Sequence, residues 1–202
     1  MRNTLIALAM TAAFAAVPAV SYADNGDAGG AFINGSVGQS NLDKGIYNDN
    51  DTGYGVNIGY RWAINPNVAL GIEGGYTDLG SFGYSGSSTG VFPNAEIKGW
   101  TAGVNGHFNV TPQWYISGRA GLFRADVKGV VGPITTTTGS GSSTITYNPI
   151  DATSTKYYAG AGFGYDFSNN FSLGLNYDYY KVNKAGFSAN PDLISVSAEY
   201  RF

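Results

Sequence analysis

The fold of this chain is decided by residues 52–77, which read TGYGVNIGYRWAINPNVALGIEGGYT. Apolar or aromatic residues alternate there with small or polar ones, first up to Trp62 and again from Val68. A period of two places the two sets on opposite faces of a β-strand. The sequence Asn65-Pro66-Asn67 separates the two runs and is typical of a tight turn. The stretch therefore predicts a β-hairpin with one apolar face.

Six further stretches repeat this alternation, which makes eight predicted strands. They lie at 32–38, 100–109, 114–123, 157–166, 171–180 and 194–202. The connections at 63–67, 110–113 and 168–170 are short, whereas those at 41–51, 80–95, 127–154 and 183–192 are long and polar. Outer-membrane barrels have this plan, with short periplasmic turns and longer external loops. We therefore predict an all-β protein, an eight-stranded antiparallel up-and-down transmembrane β-barrel.

The composition excludes several classes of protein. Of 202 residues, only 12% are charged and 30 are glycine, whereas soluble domains average about 25% charged residues. Eleven basic against 14 acidic residues, a net charge of −3, make nucleic acid an unsuitable partner. The chain has no cysteine, which excludes disulfides and thiolate metal sites.

The first 23 residues predict a secretory signal peptide. Arg2 is followed by the apolar stretch 5–20, and Ser21-Tyr22-Ala23 supplies the small residues needed for cleavage before Asp24. A stretch of this length, interrupted by Pro18, is short for a membrane-spanning helix. We therefore expect a cleaved leader at 1–23 and a barrel domain at 24–202.

The aromatic residues favour a membrane over water. On the predicted outer face they form two rings, which are the expected aromatic girdles at the two lipid interfaces. The ring near the short turns includes Trp62, Phe108, Trp114 and Phe202, and the ring near the long connections includes Tyr54, Tyr76 and Trp100. A soluble lipocalin-like barrel or a Greek-key sandwich would also show alternation, and these two remain as alternatives.

Ionisable residues on the inner face are the candidate site. The predicted lumen charge cluster consists of Glu73, Arg119, Arg61, Asp178 and Glu199. Glu73 and Arg119 lie about equally far above their short turns, so we predict an ion pair between them, because an unpaired buried charge is costly.

No catalytic, metal or cofactor site is predicted. Residues 48–53 resemble the start of a calcium loop but lack its downstream glutamate. His107, the single histidine, is expected on the inner face without a carboxylate or nucleophile beside it, in a structural role. We therefore expect no enzymatic activity.

Three segments resemble the family of outer membrane protein A, in its eight-stranded transmembrane domain. They are residues 71–80 (GIEGGYTDLG), 124–128 (RADVK) and 197–202 (SAEYRF), and the likeness extends over about 31–202. The resemblance implies an integral protein of the bacterial outer membrane. The chain stops at Phe202, so the periplasmic peptidoglycan-binding domain that often follows in this family, with its cell-wall anchoring, is not expected.

The resemblance also implies roles for individual residues. In the family, an inward glutamate like Glu73 joins a charge cluster that blocks the lumen and gates conduction. Its lysine, second glutamate and arginine are replaced here by Asn105, Gly164 and Gly174. The terminal pair Tyr200 and Phe202 is similar to the signal that the barrel-assembly machinery reads.

Two functions follow as expectations. The first is a structural or weakly conducting, porin-like barrel with four long external loops. The second is an adhesin, or a barrel that binds host molecules or lipopolysaccharide through those loops. The expected partners are outer membrane lipids and lipopolysaccharide, the barrel-assembly machinery, and a host or cell-surface ligand.

Overall fold

The computed structural model describes residues 29–44, 47–82, 95–138, 142–184 and 187–202. The predicted leader at 1–23 lies outside these ranges, as does most of the predicted connection 80–95. Among the described residues, no helix is long and apolar enough to cross a membrane.

Eight long strands form the barrel, as predicted. They are β1 (Gly30–Lys44), β2 (Tyr47–Asn65), β3 (Val68–Phe82), β4 (Ala95–Asn109), β5 (Trp114–Thr138), β6 (Ser142–Asp166), β7 (Phe171–Tyr180) and β10 (Asp192–Arg201). Two three-residue strands, β8 (Val182–Lys184) and β9 (Phe187–Ala189), form a separate small hairpin between β7 and β10.

The sheet closes on itself through its first and last strands. Each barrel strand pairs antiparallel with the next along the chain, and β10 pairs with β1 from Phe32↔Arg201 to Asn41↔Asp192. Closure satisfies the backbone hydrogen bonds of the closed wall within the wall itself, so no strand edge of that closed part faces the surroundings. The eight-stranded antiparallel barrel predicted from the sequence is confirmed.

The two faces of the wall differ as the alternation predicts. On β2, Ile58 is 61% exposed while the adjacent Asn57 is 3% exposed. The outward set of the same strand also includes Tyr54, Val56, Tyr60 and Trp62. The outer surface is therefore a band of exposed apolar side chains, and on β2 polar side chains such as Asn57 and Arg61 point into the lumen.

The predicted long loops are strand for much of their length, which corrects the sequence-based interpretation. Strands β1 and β2 stay paired as far as Lys44↔Tyr47, and β5 and β6 as far as Thr138↔Ser142. The predicted connection 183–192 contains most of the β8–β9 hairpin. The polar composition of these segments marked where the apolar band ends. It does not mark the end of the strands, which continue beyond it.

Candidate functional site

The first ion pair of the lumen joins β2 to β10. Arg61 donates from both terminal nitrogens to Glu199, at 2.5 Å to Oε1 and 2.9 Å to Oε2. Its Nε donates to Asn105 Oδ1 on β4 at 2.6 Å, and the guanidinium lies 4.0 Å from the ring centroid of Phe32. Arg61 and Glu199 are both buried. The pair is bidentate, the strongest geometry available to an arginine and a carboxylate.

The second ion pair joins β5 to β7. Arg119 donates from Nε to Asp178 Oδ1 at 2.6 Å and also from Nη2 to Oδ2. Asp178 is fully buried. Gly160 on the intervening β6 makes the contact possible, because a Cβ at that position would lie 1.9 Å from Asp178 Oδ1. A glycine on the central strand thus leaves room for the carboxylate.

The predicted ion pair between Glu73 and Arg119 is wrong. Arg119 binds Asp178, and Glu73 accepts a hydrogen bond from Tyr158 Oη at 2.7 Å. The strand register explains this, because Arg119 is level with Asp178 through Gly160. Glu73 is instead level with Gly121, through Gly103, two residues nearer the long connections. Counting residues from the turns ignored the stagger of a tilted barrel.

The short-turn end of the lumen is filled by a cluster around Asp166. His107 Nε2 lies 3.2 Å from Asp166 Oδ2, and Asn109 Nδ2 donates to the same oxygen at 2.7 Å. Arg201 Nη2 and Ser172 Oγ both donate to Oδ1, at 2.6 and 2.5 Å. The expectation that His107 has no carboxylate neighbour is therefore wrong.

This cluster does not have the order of a catalytic triad. A serine nucleophile is activated by a base that accepts its proton and is in turn oriented by a carboxylate. Here Asp166 lies between Ser172 and His107, and the serine donates to the carboxylate. Among the described residues, no group of three histidine, aspartate or glutamate side chains is arranged to hold a metal ion. The arrangement suits a packed polar interior.

The half of the lumen near the long connections contains a buried apolar cluster, flanked by small polar side chains such as Ser40, Thr77 and Ser195. Its buried cluster consists of Leu79, Ile97, Phe123, Ala125, Val127, Tyr158, Tyr180, Val182 and Leu193. The rings of Phe123 and Tyr180 meet edge to face at 4.9 Å between centroids. This cluster was not among the predicted site residues. Continuing the inward parity of β3, β4 and β10 beyond their polar residues would have found Leu79, Ile97 and Leu193.

A small cavity lies within the polar half of the lumen, beside Arg61 and Arg119. Its volume is about 40 Å³, and its polar lining includes Asn105, Ser117, Asn176 and Ser197. Among the described residues, Asn105 Nδ2 has no hydrogen-bond partner. Since one water needs about 10–15 Å³ of such space, the cavity has room for a few water molecules.

The aromatic residues predicted as girdles lie on the outer face at two heights. Trp62, Trp100 and Trp114 are 52%, 62% and 53% exposed, and Tyr54 is 37% exposed. Tyr76 packs edge-on against Trp100 with the ring centroids 5.2 Å apart. Phe108 and Phe202 are partly exposed.

The last residues of the chain belong to the seam between β10 and β1. Tyr200 and Phe202 pack edge to face at 5.1 Å between centroids, and the Phe202 amide donates to Ala31 O at 2.9 Å. The terminal aromatic pair is thus fixed on the outer face, beside the strand that closes the barrel.

Comparison with known proteins connects this geometry to a family. The family model of the outer membrane protein beta-barrel domain matches residues 5–202. No curated protein sequence matches the chain.

Among the solved structures with a similar fold are two bacterial surface proteins. Ail, the attachment invasion locus protein of Yersinia pestis, is 18% identical, with a TM-score of 0.57 over 86% of this chain and 99% of that one. Neisserial surface protein A is 13% identical, with a TM-score of 0.55 over 85% of this chain and 97% of that one. At this identity the likeness concerns the fold alone.

Proposed function

The chain belongs to the outer membrane protein beta-barrel domain family and is an integral outer membrane barrel; from this premise, we propose that it is a structural barrel whose resting lumen does not conduct ions. The proposal rests on one observation: side chains fill both halves of the lumen. Charged groups are paired across one half, and a buried apolar cluster occupies the other. An eight-stranded barrel is just wide enough for its side chains to fill it.

The apolar half is the stronger barrier in this proposal. A hydrated ion that entered from the long-connection side would meet Leu79, Ile97 and Phe123, which are 0% exposed and offer no hydrogen bonds. Passage through apolar surroundings strips an ion of its water, at a large cost in free energy. Rearranging the Arg119–Asp178 pair alone would leave this barrier in place.

Single-channel recording in planar bilayers tests the proposal. The purified protein is expected to give no steady conductance, and a variant without residues 129–150 is expected to stay closed as well, because the filled lumen lies below that segment. A double variant, Phe123→Ser with Leu79→Ser, is the positive control and is expected to conduct. Sustained conductance of the unmodified protein would support the porin-like alternative.

The absence of enzymatic activity also remains a proposal. It is supported by the family, whose described relatives here are outer membrane barrels, and by the position of Asp166 between Ser172 and His107. Lipid hydrolysis by the purified protein that disappears in Ser172→Ala would contradict this proposal.

A second candidate, surface binding, is favoured by the length of one hairpin. Strands β5 and β6 have 25 residues each. β5 pairs with β4 only as far as Lys128 but with β6 as far as Thr138. At about 3.3 Å per residue, the ribbon extends roughly 30 Å beyond the neighbouring strand. Long connections face outwards in such barrels, so this ribbon would be presented to host or cell-surface ligands.

Whole-cell assays separate this candidate from a purely structural role. Cells that display the protein without residues 129–150 should lose attachment to host cells while keeping the same amount of barrel in the membrane. Protease added to intact cells should cut only near 80–95 and 127–154. Cleavage at the turn 110–113 would reverse the proposed orientation, and unchanged attachment would remove the hairpin as the binding element.

Assembly of the barrel is the third part of the proposal, and it assigns Tyr200 and Phe202 to recognition by the barrel-assembly machinery. Removal of Phe202 should reduce insertion into the outer membrane. Burial of one phenylalanine is worth only about 1.5–3 kcal/mol, so an insertion defect that persists in a variant of restored stability indicates recognition. The control is Phe167→Ala, which removes an exposed aromatic side chain at a short turn. Normal insertion without Phe202 would refute the assignment.

A further inference from the structure

The charged side chains inside the barrel pair off and leave one carboxylate over. Within the described residues, each arginine of the lumen binds one acidic partner, and these ion pairs are Arg61–Glu199, Arg119–Asp178 and Arg201–Asp166. Glu73 is the remaining acidic residue of the lumen, and no described cationic side chain forms an ion pair with it. A buried carboxylate without a compensating charge is costly. Glu73 therefore needs a positive charge from another source.

The groups around Glu73 do not supply that charge. Tyr158 donates a neutral hydrogen bond to Oε1 at 2.7 Å. Arg119 lines the same cavity as Glu73, but its Nε and Nη2 both donate to Asp178. His107 lies against Asp166, with 3.2 Å between Nε2 and Oδ2. The Glu73 side chain, in a residue that is 8% exposed, thus borders the cavity with its charge unmatched by the described side chains.

Two amide side chains bring further oxygen atoms to the same side of the cavity. Asn34 on β1 is level with Asn57 on β2, and both line the cavity together with Glu73. Asn57 Oδ1 lies over Gly75 of β3, because a Cβ built there would come within 2.1 Å of it. Gly75 and Glu73 are successive inward positions of that strand. The amide oxygen of Asn57 therefore lies next to the position of the carboxylate.

This donor set suits one small alkali-metal cation. Carbonyl-type oxygens can replace the hydration shell of such an ion, and the carboxylate supplies one negative charge. A monovalent ion would neutralise that charge, whereas a divalent ion would leave an excess positive charge in the interior. The cavity has a volume of about 40 Å³. Since one water needs about 10–15 Å³ of such space, a dehydrated ion and one or two waters fit.

We propose that the lumen cavity binds one alkali-metal cation of the size of sodium, held by Glu73, Asn57 and Asn34. The ion supplies the positive charge that the three arginines of the lumen do not, and it completes the polar filling of this half. The apolar cluster closes the side of the long connections, so the ion exchanges from the side of the short turns. The site goes beyond the proposed structural role and does not depend on steady conductance.

Urea unfolding of the full chain in phosphatidylcholine vesicles tests the site, with NaCl replaced stepwise by choline chloride at constant ionic strength. Choline is too large for a cavity of about 40 Å³. A ligand that binds only the folded state lowers the unfolding equilibrium constant, about tenfold for each tenfold rise in concentration above its Kd. Sodium should therefore stabilise the unmodified protein. Glu73→Gln keeps the shape and an acceptor for Tyr158 but removes the charge, so it should be equally stable in the two salts.

Asp78→Asn is the matched control for loss of a carboxylate. Asp78 also accepts a hydrogen bond from a tyrosine hydroxyl, that of Tyr54 at 3.0 Å, but this pair lies on the outer face. Its loss should leave the sodium response unchanged. Equal stability of the unmodified protein in NaCl and choline chloride would overturn the site and assign a proton to Glu73 instead. An equal sodium response in Glu73→Gln would overturn it as well.

A second variant tests the site by a gain of binding. Asn57→Asp adds a second carboxylate beside Glu73, so the site should then prefer calcium. Millimolar CaCl2 should lower the unfolding equilibrium constant of Asn57→Asp at least tenfold, change that of the unmodified protein less than twofold, and lose its effect in the double variant with Glu73→Gln. The same calcium response in the single and double variants would contradict the placement of Asn57 beside Glu73. Heat-dependent gel mobility checks that every variant is folded.

Discussion

The two halves of the lumen are filled by opposite kinds of chemistry. Near the short turns, charged groups pair across the barrel through specific contacts such as Arg61–Glu199 and Arg119–Asp178. Near the long connections, apolar side chains such as Leu79, Ile97 and Phe123 pack without exposed surface. A charge pair stabilises the barrel only when the strand register places its two partners within contact distance. Apolar packing depends mainly on filling the available volume. The polar half therefore specifies which strands are level, and the apolar half seals the barrel.

The lumen depends on inward glycines, in its polar half and also beside the apolar cluster, where a Cβ at Gly53 would lie 2.7 Å from Leu193 Cδ1. Phe32 rests over Gly59, and the Tyr115 hydroxyl lies between Gly164 and Gly174, so a Cβ at any of these glycines would come within 2.7 Å of the neighbouring side chain. Inward glycines thus leave the space into which the large side chains fold. This accounts for the high glycine content of the chain better than conformational freedom does.

The largest effect is expected in the apolar half. Phe123→Ala should destabilise the barrel by about 3–5 kcal/mol, because it leaves a cavity in a fully buried cluster. Urea unfolding of the protein in lipid vesicles measures this change. Leu122→Ala, on the adjacent outward position that is 59% exposed, is the control and should cost much less. Equal costs would mean that the apolar half is not a packed core.

The next effect concerns the charge pair that the register selects. Arg119→Gln or Asp178→Asn should each cost about 3–5 kcal/mol, less where cavity water relieves the stranded charge. The double variant should recover part of this loss, since residues in contact deviate from additivity.

A second double-mutant cycle serves as the control and combines Arg119→Gln with Glu73→Gln. Its deviation from additivity should be clearly smaller than that of the Arg119–Asp178 cycle, because Arg119 contacts Asp178 rather than Glu73. An interaction free energy as large as that of Arg119 with Asp178 would restore the original Glu73–Arg119 pairing and contradict the register.

A glycine substitution provides a smaller and more local test. Gly160→Ala places a methyl group against the Asp178 carboxylate, and overpacking of this kind typically costs about 1–3 kcal/mol. Gly118→Ala is the matched control, because a Cβ there meets nothing within 4 Å. It should be neutral or stabilise by up to about 1 kcal/mol, since alanine restricts the unfolded chain. Equal destabilisation by both would show that Gly160 is not needed to seat Asp178.

The sequence predicted the wall of the barrel but not the pairing inside it. Alternation identifies the face of Arg119 and Asp178 correctly, because the period of two is a property of each strand alone. Which inward residues are level depends on the stagger between strands, which no single strand encodes. Aligning Arg119 with Gly160 and Asp178 requires the register of three strands at once.

The apolar seal and the long ribbon were missed for a different reason. Strand prediction stopped where the outer face became polar, although the inner face continued with Leu79, Ile97 and Leu193. Beyond Lys128, the pairing of β5 within the described residues is with β6 alone. The end of the lipid-facing apolar band was interpreted as the end of the strands. In a membrane barrel the strands can continue beyond that band, so the two boundaries do not coincide.

The last expected effect, no larger than that of Gly160→Ala, comes from the residue that links the two halves. The ring of Tyr158 stacks on Tyr180 in the apolar cluster, with 5.9 Å between centroids, while its hydroxyl donates to Glu73 at 2.7 Å. Tyr158→Phe keeps the packing but removes the only described hydrogen-bond donor to Glu73. Leaving a buried acceptor without its donor costs about 1–3 kcal/mol.

The companion variant Glu73→Gln determines where that cost arises. If the loss in Tyr158→Phe reflects a stranded carboxylate, then Tyr158→Phe should cost clearly less in a Glu73→Gln background than alone. Urea unfolding of the four proteins gives the interaction free energy. Strict additivity would mean that Tyr158 acts through its ring alone. The polar and apolar halves would then be independent fillings of one barrel, with no hydrogen bond coupling them.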